Sequence, residues 1–170
     1  MSLAAGWRAV AMLAFALGGC VGPGRMEGSV LVVPAKGYRI AVPAGWERID
    51  TEADLALRHP TLSAALMVHG TCEGPTPGRP LGVLAQHLRF GLTDMRGLAE
   101  ERVEVAGHAA VRSRFTARLD GEPVAVRAVT LTARRCAYDL AVVASPERIE
   151  PAAVEFERFV ASFGLAEATP

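Results

Sequence analysis

The chain has 170 residues, 51% of them hydrophobic, and its 18 Lys and Arg balance 18 Asp and Glu. A neutral chain lacks the concentrated positive charge that a phosphate backbone requires, which argues against a nucleic-acid partner. The length suffices for one domain with a well-filled core and leaves little room for a second.

At the N-terminus, Arg8 is the one charged side chain ahead of an apolar run from Ala9 to Leu17. About nine residues cannot cross a hydrocarbon layer roughly 30 Å thick as a helix, but they have the length of a signal-peptide core. Leu17-Gly18-Gly19-Cys20 follows and resembles the lipobox of bacterial lipoprotein precursors. The resemblance implies removal of residues 1–19 as a signal peptide, diacylglycerol in thioether linkage on Cys20, and a fatty acyl chain such as palmitate on the new amino group. A thiol is a strong nucleophile suited to alkylation, and two glycines let the chain enter a narrow protease cleft. Two or three acyl chains then anchor stably, at about 0.8 kcal/mol per buried methylene. The competing reading is an ordinary secretory signal with a chance cysteine. Position 21 is Val rather than the Asp that favours inner-membrane retention in Gram-negative lipoproteins, so an outer-membrane, periplasm-facing location is expected.

With Cys20 assigned, Cys72 and Cys136 remain, an even pair in an oxidising compartment and outside any CxxC or zinc pattern. A bridge between them is expected. The chain-entropy model assigns about 4 kcal/mol to such a loop, and typical measured values are about 2–4 kcal/mol. Two separate buried thiols are the alternative.

Residues 20–29, with "VGPGRMEGS" after the cysteine, read as a flexible lipid tether with a coil span of about 15–18 Å. A single domain is expected over 30–165 and a short tail over 166–170. Tyr38, Ile40 and Val42 alternate as a strand, and Pro43-Ala44-Gly45 turns into a second one carrying Trp46 and Ile49. Leu55 and Leu57 alternate next, then "SAALMVHG", then a Pro/Gly loop over 73–80. Leu81, Leu84, Leu88 and Leu92 recur at helical spacing and predict a helix over 81–95, although Gly82 and Gly91 each cost about 1 kcal/mol there. Strand signals return at 102–105, and Gly107 permits a turn.

Residues 111–135 form the clearest hairpin. Val111, Ser113, Phe115, Ala117 and Leu119 share one face, Arg112, Arg114, Thr116 and Arg118 the other, and Asp120-Gly121 is a strong two-residue turn signal. Residues 136–144 make another strand. A last helix is expected after Pro151, with Phe156, Phe159, Val160 and Phe163 on one stripe and Gly164 as its stop. Long antiparallel hairpins with two helices to cover sheet faces predict an α+β sandwich.

"YRIAVPAGWERI" (38–49) and "FERFVASFGL" (156–165), the latter preceded by a strand with Tyr138, are similar to the two ends of domains in the PsbP-like superfamily. DcrB-like lipoproteins carry such a domain behind a lipidated cysteine. The resemblance implies an antiparallel sheet of about six or seven strands sandwiched by helices, and a binding or assembly role rather than catalysis. It supplies no catalytic residues to carry over.

The residues themselves point the same way. No Gly-x-Ser-x-Gly elbow or Walker pattern occurs. His59, His69, His87 and His108 are too widely spaced for a helical metal-ligand pair, although strands could unite His59 with His69. No cofactor and no metal are expected. Pro43, Gly45 and Trp46 read as a turn and a core residue, with ligand stacking by Trp46 as the alternative. Glu100 and Glu101 precede a strand, and the acidic residues of the last helix suit its dipole. The feature with interaction content is an arginine face of Arg112, Arg114 and Arg118, joined by Arg127 from the partner strand. It is either a solvated face partly covered by Glu155 and Glu157, or a docking surface for an acidic partner. The expected function is a lipid-anchored envelope module that binds an envelope protein or small ligand. The alternatives are an envelope enzyme built from dispersed residues and a purely structural lipoprotein.

Overall fold

The computed structural model describes residues 24–72 and 79–166. The expected signal peptide, Cys20, most of the expected 73–80 loop and the tail beyond 166 lie outside the described residues. Seven strands make one antiparallel sheet: β4 Glu47–Ile49, β5 Leu55–His59, β6 Ala64–Thr71, β7 Leu92–Val105, β8 His108–Leu119, β9 Glu122–Ala133 and β10 Cys136–Ala144. Their order is β4-β5-β6-β10-β9-β8-β7. A second, smaller sheet has the order β1-β2-β3-β11, from β1 Arg25–Glu27, β2 Val30–Val33, β3 Tyr38–Ala41 and β11 Gly164–Leu165. Helix α1 spans Leu81–Ala85 and runs into a 3-10 turn, Gln86–Arg89; helix α2 spans Ile149–Ala161.

The expected α+β sandwich with a seven-stranded sheet is present. One face of the large sheet carries Leu66, Val68, Val129, Leu131, Tyr138, Leu140 and Val142, and α2 closes it with Ala152, Phe156, Phe159 and Val160. The small sheet packs onto the same core through Leu31, Val33, Tyr38 and Ile40. The other face holds a lesser cluster of Phe115, Ala117, Val124 and Val126. Asp120 and Gly121 both have positive φ, 51° and 86°, as the β8–β9 hairpin turn requires.

Five expectations change. Residues 25–29 are not tether: Arg25, Met26 and Glu27 pair with Val32, Leu31 and Val30, so the fold begins ahead of Val30. The helix expected over 81–95 stops early, because Phe90 turns extended and Gly91 takes φ 79°; Leu92 instead pairs with Leu119. Strand β7 is therefore much longer than 102–105, and it bulges between Thr93 and Ala99. Helix α2 starts at Ile149, with Pro151 inside its first turn where a missing N–H costs nothing. Gly164 does not cap α2; it pairs with Arg39 and so opens β11.

A three-part junction holds the two sheets together. Asp54 accepts hydrogen bonds from Lys36 Nζ (2.5 Å), Tyr38 Oη (2.9 Å) and the Gly70 amide (2.8 Å). Tyr138 Oη donates to the Lys36 carbonyl at 2.6 Å. The rings of Tyr38, Tyr138 and Phe163 lie 5.2–5.5 Å apart. Burial and the facing Asp54 carboxylate push the Tyr38 hydroxyl well above its usual range, so it stays a donor. Glycine at position 70 suits this packing, since a Cβ would meet the Lys36 Cδ at 3.1 Å and the Tyr138 ring at 3.2 Å, and both would have to give by a few tenths of an ångström.

Cys72 and Cys136 are joined, closing the end of the β6–β10 ladder just beyond the Thr71–Ala137 pair. On the face opposite α2, the same two strands place His69 across from Asp139. Thr130 Oγ1 donates to Asp139 Oδ1 at 2.6 Å. Burial raises the Asp139 carboxyl above the ordinary range, against the opposing pull of Thr130, His87 and His69.

Replacing Cys72 and Cys136 together by Ser is expected to lower the unfolding free energy by about 2–4 kcal/mol, measured by urea denaturation; an unchanged midpoint contradicts this. Because the native state holds the Asp139 proton to higher pH than the unfolded chain does, this group's contribution to stability falls as pH rises through the raised value. Asp139→Asn keeps the acceptor for Thr130. It is expected to raise Tm at pH 7, with the gain fading below the ordinary carboxylate range, as calorimetry across pH reads directly.

Candidate functional site

Strand β8 exposes alternate residues on the α2 side of the large sheet, and register brings β7 and β9 residues beside them. Arg112 lies opposite Glu101 and Val129, and Arg114 opposite Ala99 and Arg127. With Glu157 from α2 these residues wall a groove of about 360 Å³ between the helix and the outer strands.

Most of the positive charge is matched within the chain. Arg112 reaches Glu157 at 2.9 Å and Glu101 at 3.7 Å. Arg127 reaches Glu150 at 2.5 Å. Glu155, expected over the arginine face, pairs instead with Arg158 on its own helix. Arg118 is separated from the other three: it sits by the β8–β9 turn, donating to the Gly121 carbonyl at 2.5 Å and facing Asp94 at 3.4 Å. Arg114 is exposed and has no carboxylate partner among the described residues. It stands directly across from Arg127, a like-charged pair that is unfavourable unless neutralised from outside the two strands. Glu150 does this for Arg127 alone.

The groove thus offers one uncommitted guanidinium, Arg114, flanked by a neutralised one. The carboxylates of Glu101 and Glu157 line the same space. They disfavour a dianion such as phosphate and accommodate a single carboxylate, which an arginine holds in bidentate geometry.

The remaining candidates fall elsewhere. His59 and His69 lie at opposite ends of the β5–β6 ladder, since His59 pairs with Ala64 and Leu55 with Val68. Trp46 is buried, with its ring edge-on to His59 at 5.1 Å, which gives it the core role rather than ligand stacking. Glu100 pairs with Arg89 and accepts a hydrogen bond from Ser113 Oγ at 3.4 Å, so its carboxylate is already committed. The grouping of His69 with Asp139 and Thr130 is the site that sequence reading missed. Its signal was a polar residue in two otherwise apolar rows, Met67-His69 and Ala137-Asp139-Ala141.

No protein-family model matches the chain, and no curated protein matches it by sequence. Solved structures do. Cyanobacterial PsbP (CyanoP) from Synechocystis sp. PCC 6803 is 16% identical with a TM-score of 0.61, over 88% of this chain and 98% of that one. LpqN, described as involved in cell envelope biogenesis of Mycobacterium tuberculosis, is 11% identical with a TM-score of 0.59, over 76% of this chain and 83% of that one. A protein of Bacteroides thetaiotaomicron is 12% identical with a TM-score of 0.60, over 84% of this chain and half of that one. At these identities the likeness is one of fold: the domain described here has a PsbP-like fold.

Proposed function

We propose that this chain is a lipid-anchored, non-catalytic binding module of the bacterial cell envelope, which seats a carboxylate of an envelope protein against Arg114. Lipid on Cys20 holds it to the membrane, with the outer membrane favoured by Val21. The lipobox supports the anchor, and the Cys72–Cys136 bridge fits an extracytoplasmic compartment. The involvement of LpqN, a protein of the same fold, in cell envelope biogenesis supports the setting.

The observation that carries the binding role is the uncommitted Arg114 in a groove whose other guanidiniums are paired. A solvated structural face gains nothing from placing Arg114 directly across from Arg127, whereas an incoming carboxylate between them turns that repulsion into attraction.

Arg114→Thr separates the roles. It is expected to leave stability unchanged or raised by up to about 0.5 kcal/mol, since it relieves a cross-strand repulsion. It is expected to weaken binding of acidic peptides by about 10–100-fold, the range for a lost charge-assisted hydrogen bond. Urea denaturation reads the stability, and titration of the domain with Glu-rich and C-terminal-carboxylate peptides at low salt, followed by chemical shifts around Arg114, reads the affinity; unchanged affinity overturns the role. Mass spectrometry of native material should show residues 1–19 absent and diacylglycerol on Cys20, and Cys20→Ser should leave the chain without lipid.

A further inference from the structure

The ordered fold begins closer to Cys20 than the sequence pattern indicates. Gly24 is packed so tightly that a Cβ there would lie 2.7 Å from the Val33 Cγ2 and 2.9 Å from the Val32 carbonyl oxygen. Arg25 is already paired in the small sheet. Only residues 21–23 separate Cys20 from Gly24. Even fully stretched, that connection spans at most about 14 Å. A domain of this size has a radius of gyration of about 14 Å and is accordingly wider than its leash is long. Only the surface around β1 can reach the headgroups.

That surface has the chemistry of a headgroup contact. β1 is the edge strand of the small sheet, with Met26 exposed on one side. Arg25, Val32 and Arg39 are aligned across β1, β2 and β3 on the sheet's outer face. Arg25 meets only the exposed Glu27, at 2.8 Å, and Arg39 has no carboxylate partner among the described residues. Arginines in this position are drawn to anionic lipid, and an exposed methionine suits the boundary between headgroups and acyl chains.

We propose that the β1 edge of the small sheet, with Arg25, Met26 and Arg39, rests on the anionic phospholipid surface that holds the Cys20 acyl chains. This rests on lipid attachment at Cys20. The domain is thereby oriented, with the β8–β9 turn pointing away from the membrane: the Glu122 end of β9 is about 37 Å along the strand from its Ala133 end, beside which the small sheet docks.

Full-length lipidated protein in vesicles of phosphatidylcholine and phosphatidylglycerol tests this. With Cys20 alkylated and Cys72 bonded to Cys136, an engineered Ser29→Cys or Glu122→Cys is the single free thiol for a fluorescent label. A nitroxide on the lipid headgroups should quench the label at position 29 severalfold more than at 122. A Gly/Ser spacer of about twenty residues after Val21, reaching about 25 Å as a coil, should diminish that difference. Equal quenching at the two positions in floating vesicles, or a difference that the spacer abolishes entirely, overturns the docking. Failure of the wild-type chain to float with the vesicles, with no lipid mass on Cys20, instead overturns the anchor on which it rests.

Discussion

Asp54 sits where the two sheets meet, and its carboxylate is held from three directions: by the side chain of Lys36, the hydroxyl of Tyr38 and the amide of Gly70. Lys36 and Tyr38 belong to the small-sheet side and Gly70 to the large sheet, so one nearly buried anion ties two layers that share few backbone bonds. A buried carboxylate left without partners is costly, so the three donors and the anion stabilise one another only when both sheets are in place. Tyr138 completes the tie from the large sheet by donating to the carbonyl of Lys36, and its ring needs the space that a glycine at position 70 leaves free. Phe163, just past α2, stacks on Tyr38 and brings the end of the chain to the same point.

Much else follows from where that junction stands. It fixes β3, β3 pairs with β2, and β2 pairs with β1, so order propagates to Gly24. The chain then returns from α2 as β11 and closes the other side of β3, with Ser162 Oγ accepting from the Ala41 amide. The place where the described fold begins, at Gly24, is thus set by packing some distance from Gly24 itself. The groove on the outer strands depends less on it: Arg112, Arg114 and Arg127 are placed by the β7–β8–β9 register and by α2, which supplies Glu150 and Glu157.

The elements legible in the sequence are those whose signal is local. The β8–β9 hairpin shows because alternation runs for a dozen residues on either side of Asp120-Gly121, and residues 136–144 form β10 as expected. The apolar stripe of α2 shows because Phe156, Phe159 and Val160 repeat at helical spacing. What stayed hidden depends on partners far away in the chain. Strands of two or three residues, β1 and β11, carry no periodicity of their own and exist because β2 and β3 offer free edges. The Leu81–Leu92 stripe reads as one helix until Gly91 takes positive φ and Leu92 finds Leu119. The arginine face was visible as alternation, but not which guanidinium is spared, since Glu150 and Glu157 reach it from α2 and Asp94 from β7.

Hydrogen exchange of individual amides tests most directly whether the Asp54 junction makes the small sheet one unit with the rest. The amides of Leu31, Val33 and Ile40 are expected to exchange as slowly as those of Val129 and Leu140, through global unfolding, and to become much faster in Asp54→Ala while β9 and β10 keep a slower rate. Small-sheet amides in the wild-type chain that exchange orders of magnitude faster than those of β9 and β10 would contradict this account.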